Sequence, residues 1–204
     1  MHPADLTKAA LRTRVRRMLD AKPAPEWARA SERLCGVISG LAAFREARSV
    51  FAFVPIAGEV DITPVLRQCL ERGTTLCLPR IDWGTRTMVP SVVTGLGEAH
   101  LEVTRHAIRQ PRLACPEFPA AELDLILVPG LAFSMSLAGG FSRLGRGAGF
   151  YDRYFAARAT GGGGGRGLRL GVALTEQVVE SIPVDSWDLS VRALATPDGA
   201  FGTD

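Results

Sequence analysis

The chain is 204 residues long and 47% hydrophobic, which is enough for one domain with a substantial core, expected to span residues 1–204. Its formal net charge is only +3 and is carried by scattered arginines, which disfavours a nucleic-acid-binding protein and suits small anionic ligands. No apolar run approaches the ~20 residues of a membrane span, and the polar N-terminus lacks a signal peptide's apolar segment, so we expect a cytoplasmic protein without membrane contact.

The cysteines and histidines show no metal-binding pattern. The cysteines are Cys35, Cys69, Cys77 and Cys115; they form no C-x-x-C pair and stand mostly among apolar residues. They are therefore predicted to be free thiols in a reducing compartment, rather than a disulfide framework or a zinc site. His100 and His106 match no ligand spacing and are interpreted as surface residues.

The first predicted helix runs from about Asp5 to Asp20, with Asp5 or Thr7 as its N-cap. Apolar residues recur along one of its faces: Leu11, Val15, Met18 and Leu19. Lys8 and Arg12 are four positions apart, so both project from the same side, beside the apolar face. Most pairs of this kind form a solvated basic edge.

A second helix is predicted from about Glu26 to Phe44, with Trp27 in the core, followed by a buried strand at Ser49–Pro55. The loop Ile56–Asp61 comes at the carboxyl end of that strand. Ligands of open α/β sheets collect at the carboxyl ends of strands, which makes Glu59 a candidate binding residue.

The next segments predict the fold class. Thr63, as N-cap, and Gly73, as C-terminal stop, bound a helix, and Thr74–Pro79 follows as a strand. Strand, helix and strand in this order build a parallel sheet through a right-handed crossover. We therefore expect a three-layer α/β fold, a Rossmann-like, mostly parallel sheet flanked by helices. Met88–Val93 and His100–Val103 are predicted as short strands of a small, irregular β excursion outside the main sheet.

The most informative stretch begins with the apolar strand Leu123–Val128 and turns at Pro129-Gly130. A loop of small residues leads to the glycine turn Arg143–Gly149, and a helix begins at Phe150. A glycine turn before a helix directs backbone N–H groups and the positive helix end at an anion, and arginines add charge suited to phosphate. Asp152, in the first helical turn, could hold a metal ion. The stretch thus predicts a site for nucleotide phosphates and Mg²⁺.

Spacing alone leaves this prediction open. The turn is neither a dinucleotide fingerprint nor a Walker loop, and a lone glycine triplet also fits a flexible surface loop. Further along, Gly161–Gly165 is a low-complexity loop with no assigned function. Strands are predicted at Leu168–Leu174 and Val191–Ala195, with a short helix beginning at Thr175 between them.

The complete string resembles a known signature. The segment RLGRGAGFYDR, with PGLAF before it, is similar to the R-L-G-x-G-x-G-Y-Y-D motif of the 5-formyltetrahydrofolate cyclo-ligases, also called methenyltetrahydrofolate synthetases. Lys8-x-x-Leu11-Arg12 resembles the K-x-x-L-R of their N-terminus, and Ile108–Pro111 resembles another of their segments.

This resemblance implies an ATP- and Mg²⁺-dependent ligase of one-carbon metabolism that cyclises 5-formyltetrahydrofolate to 5,10-methenyltetrahydrofolate. Its implied ATP contacts are Lys8, Arg12, Arg143, Leu144, Gly145, Arg146, Gly147, Ala148, Gly149, Phe150 and Tyr151, with Arg143, Arg146 and Tyr151 as catalytic residues. Its implied folate contacts are Val54, Glu59, Arg146, Gly147, Ala148, Gly149 and Phe150. The implied Mg²⁺ ligands are Asp152 and Asp188.

The chain also departs from the family pattern. Ser134 stands where the family usually has Asp, the Phe133–Arg143 connection is longer, and Trp187 replaces a frequent His or Asn. These departures support one alternative, a non-catalytic ATP- or folate-binding relative. A second alternative is a sugar-phosphate- or CoA-handling enzyme on a related α/β scaffold. A monomer is expected, with weak dimerisation as the alternative.

Overall fold

The computed structural model describes residues 7–136, 139–160, 167–185 and 187–203, without the side chains of residues 158–160. Its centre is a seven-stranded sheet in the order β12-β11-β9-β6-β1-β2-β3. The strands of this sheet are β1 (Ser49–Phe51), β2 (Thr75–Asp82), β3 (Thr87–Val93), β6 (Leu125–Pro129), β9 (Leu168–Val172), β11 (Ala193–Thr196) and β12 (Gly199–Phe201). The inner strands pair in parallel, and the edge strands β3 and β12 pair antiparallel.

Five helices accompany the sheet in the described part of the chain. They are α1 (Lys8–Asp20), α2 (Ala24–Gly40), α3 (Ala42–Glu46), α4 (Thr63–Glu71) and α5 (Phe150–Thr160). Thr7 caps α1, because its side chain accepts a hydrogen bond from the backbone N–H of Ala10. Asp5, the other predicted cap, lies outside the described residues.

Alternating residues of the central strands separate two apolar layers, as the pleat of a sheet requires. Val50, Leu76 and Leu125 face the layer that contains the buried side chains of α1, α2 and α4. Their neighbours Phe51, Cys77 and Ile126 face the second layer, which contains Tyr154 of α5. The predicted three-layer arrangement, a mostly parallel sheet between helical layers, is confirmed.

Two small sheets complete the fold. One has the order β10-β8-β7 and consists of β7 (Ala132–Met135), β8 (Phe141–Leu144) and β10 (Ser190–Val191). The other pairs β4 (Leu101–Val103) with β5 (Arg109–Pro111), so the predicted β excursion outside the main sheet is confirmed only for the strand at His100–Val103. The three-stranded sheet explains why the Pro-Gly-x-x-Phe segment needs glycine. A Cβ at Gly130 would lie only 2.5 Å from the buried ring of Phe133 in β7.

Several predicted boundaries were wrong. Met88–Val93 belongs to β3, which extends the main sheet because it pairs antiparallel with β2 along seven residue pairs. The predicted second helix ends early, because Leu41 is extended between α2 and α3. Trp27, predicted for the core, is only partly buried. Thr63 is the first residue of α4 rather than its cap, and Asp61 accepts the hydrogen bond from its N–H.

The largest error concerns the loop of small residues before the glycine turn. It contains the antiparallel hairpin of β7 and β8, with Ser134 opposite Ser142. Short strands with serine on one side give a weak alternating pattern, which explains why periodicity did not reveal them.

The Gly161–Gly165 run lies outside the described residues. All four cysteines are free thiols. Within the described ranges, no helix is both long and apolar enough to cross a membrane.

Candidate active site

The glycine turn connects β8 to α5. β8 delivers Arg143 and Leu144, and α5 begins at Phe150. Gly147 (φ 118°) and Gly149 (φ 69°) have backbone conformations that residues with a side chain rarely adopt. Glycine at these two positions therefore lets the main chain turn sharply at the N-terminus of α5, where the helix dipole favours an anion.

Helix α1 lies against this turn through basic side chains. The Arg12 Nε donates a hydrogen bond of 2.9 Å to the carbonyl oxygen of Gly145. One helical turn later, the Arg16 Nη2 donates 3.0 Å to the carbonyl oxygen of Arg146. Lys8, one turn earlier, contacts Asp185 and Asp188 instead. The basic edge of α1 is thus one wall of the site.

A cavity of about 420 Å³ opens between α1, the glycine turn and α5. Nine residues that the sequence predicted line it: Lys8, Arg12, Arg143, Leu144, Gly145, Gly147, Gly149, Asp152 and Asp188. Arg153 and Asp185 line it as well, so the cavity wall contains four cationic side chains and three carboxylates. We therefore call it the charged cavity.

A second cavity, of about 530 Å³, adjoins it and shares Arg143, Gly145 and Gly149 with it. The predicted residues Val54, Glu59, Arg146, Ala148, Phe150 and Tyr151 line this cavity. Most of its other walls are apolar, with Phe53, Ile56, Ile81, Met88 and Ile108 among them. We call it the apolar cavity.

Arg143 stands at the junction of the two cavities. Its Nη1 donates to the carbonyl oxygen of Pro129 (3.1 Å), and its Nη2 donates to Asp152 Oδ1 (2.7 Å). The guanidinium carbon lies 5.7 Å from the ring centre of Tyr151. The Nε is buried and has no hydrogen-bond partner among the described residues.

Glu59 is the principal polar group of the apolar cavity. Its Oε1 accepts a hydrogen bond of 3.1 Å from Arg146 Nε, and its Oε2 accepts one of 3.3 Å from the backbone of Ile56. Burial raises the pKa of Glu59 above its ordinary value, although the charge of Arg146 opposes that shift. The Arg146 guanidinium also donates to the carbonyl oxygen of Gly58, which holds the glycine turn against the loop after β1.

Two further donors of the apolar cavity lack partners within the described chain. The hydroxyl of Tyr151 and the indole Nε1 of Trp83 are buried without a hydrogen bond. Burial, and after it the charge of Glu59, raises the pKa of Tyr151, so its hydroxyl stays protonated. The Trp83 ring lies edge-on to Phe150, with ring centres 5.3 Å apart. Buried donors without partners favour a ligand that brings hydrogen-bond acceptors.

Comparison with known proteins assigns the family. The sequence profile of the 5-formyltetrahydrofolate cyclo-ligase family matches residues 4–197. This chain belongs to that family. The 5-formyltetrahydrofolate cyclo-ligase of Mycolicibacterium smegmatis is 30% identical, with 94% of each chain covered. The Saccharomyces cerevisiae enzyme of the same name is 26% identical, with 96% of this chain and 97% of the relative covered.

Solved structures agree with the cyclo-ligase assignment. The 5,10-methenyltetrahydrofolate synthetase of Aquifex aeolicus superposes with a TM-score of 0.78 at 31% identity, covering 96% of this chain and 92% of that one. The synthetase of Mycoplasma pneumoniae has a TM-score of 0.71 at 17% identity, covering 94% of this chain and 99% of that one, and so shares the fold.

The fold divides the cyclo-ligase signature between the two cavities. Arg146, Ala148, Phe150 and Tyr151, which the resemblance implies as ATP contacts, line the apolar cavity and not the charged one; their contact with ATP stays a prediction. Gly147 was predicted as a folate contact as well, but it lines only the charged cavity. Gly145 and Gly149 line both cavities, so the turn runs between them and one contiguous motif contributes to two surfaces.

The carboxylates assigned to Mg²⁺ lie on one cavity. Both hydrogen bonds described for Asp152, from Arg143 and from the backbone of Leu189, end on Oδ1. Those described for Asp188, from Lys8 and from the backbone of Asp185, end on Oδ2. Each therefore keeps a second oxygen for a hard cation, and the residues fit Mg²⁺. Within the described chain, no group of three His, Cys, Asp or Glu forms a metal cluster, so other ligands would come from phosphate and water.

Sequence reasoning missed several residues of these cavities, among them Arg16, Trp83, His106 and Asp185. Arg16 had a signal, because it continues the spacing of Lys8 and Arg12 by one more helical turn. His106, although exposed as predicted, borders the apolar cavity, with its ring centre 5.7 Å from that of Trp83. Trp83 had no usable signal, since its position depends on the pairing of β2 with β3.

Proposed function

We propose that this protein catalyses the ATP- and Mg²⁺-dependent cyclisation of 5-formyltetrahydrofolate to 5,10-methenyltetrahydrofolate. One observation carries the proposal: a charged cavity and an apolar cavity meet at Arg143. A triphosphate requires the first kind of surface, and an aromatic folate requires the second. Arg143 lies where the reacting atoms of the two substrates would meet.

The reaction needs activation, because a formamide carbonyl is a poor electrophile and its oxygen is a poor leaving group. When bound, ATP with Mg²⁺ supplies a phosphoryl group that turns this oxygen into a phosphate leaving group. The N10 amine of the folate then attacks the formyl carbon, closes the ring and expels phosphate. Phosphoryl transfer of this kind depends mainly on positioning and charge neutralisation, and little on covalent help from the protein.

We assign the nucleotide phosphates to the charged cavity. Lys8, Arg12 and Arg143 supply the cations, and the backbone of Gly145–Gly149 supplies N–H donors beside the start of α5. Asp152 and Asp188 would hold Mg²⁺. The ion pair of Arg143 with Asp152 holds its guanidinium in place, so its orientation needs no rearrangement during transfer.

We assign the folate to the apolar cavity. Glu59 accepts hydrogen bonds from the amino and ring N–H groups of the pterin, and Arg146 holds the carboxylate in position. Val54 and Phe150 pack against the rings. Tyr151 also lines this cavity, and its protonated hydroxyl, which has no partner among the described residues, would donate to an oxygen of the substrate. Arg146 and Tyr151 thus act on the folate side, and Arg143 acts at the junction.

The test is steady-state turnover of 5-formyltetrahydrofolate with Mg·ATP, followed by the near-ultraviolet absorbance of the methenyl product. We expect product formation that requires ATP, the metal ion and the folate together, with one ADP released per ring closed. A folded protein that binds both ligands but forms no product would instead be a non-catalytic relative. The departures Ser134, buried in β7, and Trp187, exposed at the charged cavity, make that control necessary.

A further inference from the structure

Lys8 is shared between two carboxylates at the edge of the charged cavity. Its Nζ lies 2.5 Å from Asp185 Oδ2 and also contacts Asp188 Oδ2. The two aspartates are joined in a closed turn: the Asp185 N–H donates 2.7 Å to Asp188 Oδ2, and the Asp188 N–H donates 3.0 Å to the Asp185 carbonyl oxygen. The ammonium group of Lys8 therefore contacts two carboxylates, and the turn holds these carboxylates close to each other.

The two carboxylates differ in their surroundings. The side chain of Asp188 is 16% exposed and that of Asp185 is 47% exposed. Asp188 is one of the two residues assigned to Mg²⁺, whereas Asp185 has no place in that assignment. Burial alone would lower the pKa of Lys8, but the two aspartates outweigh it and raise that pKa, so Lys8 remains a cation.

We propose that Asp185 is a positioning residue that acts through Lys8 and weakens the hold of the site on the nucleotide. This inference rests on the proposed function, because it takes the charged cavity as the triphosphate site. A phosphate oxygen that binds Lys8 shares the ammonium group with Asp185, so the carboxylate competes with the ligand for its positive charge. When the nucleotide leaves, Asp185 recovers the ammonium and keeps it at the edge of the cavity.

The direction of the effect follows from charge. An Asp185→Asn substitution removes the competing anion and keeps the shape of the side chain. The pair is partly exposed to water, so its contribution is modest, and we expect the variant to bind Mg·ADP and Mg·ATP about two- to fivefold more tightly. Turnover under saturating substrates should fall where release of ADP limits the rate, so KM and kcat should decrease together.

The experiment is calorimetric titration of the intact protein with Mg·ADP, for the wild type, Asp185→Asn, Asp185→Glu and the control Glu180→Gln. The control removes the same charge from an exposed residue that lines neither cavity. Asp185→Glu and the control should bind like the wild type. The two substitutions Lys8→Met and Asp185→Asn are also combined, and the gain in affinity from Asp185→Asn should disappear in the Lys8→Met background.

Each contrary result has a distinct meaning. Unchanged Mg·ADP affinity in Asp185→Asn, in a protein that turns over, would overturn this inference and leave the proposed function standing. An equal gain in the Lys8→Met background would mean that Asp185 acts by charge alone, and it would overturn the role through Lys8. A wild-type protein that binds neither Mg·ADP nor Mg·ATP would overturn the proposed function itself.

Discussion

Arg12 and Gly145 are 133 positions apart in the chain, and the Arg12 Nε donates a 2.9 Å hydrogen bond to the Gly145 carbonyl oxygen. This contact joins the first helix to the glycine turn. It satisfies a carbonyl of the turn and places the guanidinium on the charged cavity. The cation is thereby held beside the expected phosphates before any ligand arrives, which reduces the entropy lost on binding.

Substitution of Arg12 tests this preorganisation. Arg12→Lys keeps the charge but loses the planar Nε donor, so we expect the KM for ATP to rise about tenfold with a smaller change in kcat. Steady-state kinetics with varied ATP measures it. Arg14→Lys, at an exposed position of the same helix, is the matched control and should behave like the wild type. Equal KM values in the two variants would contradict a role for the Arg12 contact.

The Arg143–Asp152 ion pair is expected to affect both stability and turnover. The exposed fractions of the two side chains are only 4% and 22%. Asp152→Asn keeps an oxygen acceptor but leaves Arg143 without its counter-charge, so we expect unfolding to become easier by about 2 kcal/mol. We also expect kcat to fall by roughly a thousandfold, the scale of losing a charge clamp in phosphoryl transfer.

Denaturant unfolding and Mg²⁺-dependent turnover separate these two effects. Glu117→Gln is the matched control, because Glu117 pairs with Arg80 (2.6 Å) at a position where its side chain is 62% exposed. That control should change stability by less than about 1 kcal/mol and leave activity intact. Wild-type turnover by a folded Asp152→Asn protein would remove the metal assignment.

Substitution of Tyr151 by Phe is expected to affect stability and activity in opposite directions. Its buried hydroxyl has no partner among the described residues, so Tyr151→Phe removes an unsatisfied polar group and should leave the folded state as stable, or up to about 1 kcal/mol more stable. If the hydroxyl donates to the folate, kcat/KM should fall about tenfold or more. A loss of both stability and activity would instead indicate a structural role for the hydroxyl.

Glu59 predicts a pH dependence of folate affinity. Because burial raises its pKa above the ordinary 4.5, the carboxylate is protonated more readily in the folded protein. When pH is lowered, folate affinity should therefore begin to fall before pH 4.5 is reached. Glu59→Gln should lower the affinity about tenfold at neutral pH, and much less once the wild-type carboxylate is protonated. Fluorescence titration with 5-formyltetrahydrofolate across pH measures both curves.

The same shift affects stability with a defined sign. Between pH 4.5 and the higher pKa of the folded state, the folded protein binds more protons at Glu59 than the unfolded chain does. The free energy of unfolding contributed by this group therefore decreases as pH rises through that interval and is lowest above it. Glu59→Gln lacks this contribution, so the wild type should lose stability relative to the variant as pH rises. A stability difference that does not vary with pH would contradict the shifted pKa.

Much of the secondary structure could be predicted from the sequence, because it depends on interactions between residues close together in the chain. The apolar run that became β6, the period of α1 and the Gly73 end of α4 all follow from backbone and side-chain preferences within a short window. The same holds for the glycine turn before α5, where the positive φ angles of residues 147 and 149 favour glycine. Such features need no knowledge of distant residues.

Contacts between distant segments were readable only in the folded molecule. The hairpin of β7 and β8 and the place of β3 at the sheet edge depend on which strands pair. The sharing of Lys8 between Asp185 and Asp188 depends on how α1 packs against a loop far away in the chain. The division of Arg146 and Gly147 between two cavities has the same origin. Residue order specifies which groups are present, but the distances between these groups follow from the packing of the whole sheet, because segments far apart in the chain meet only there.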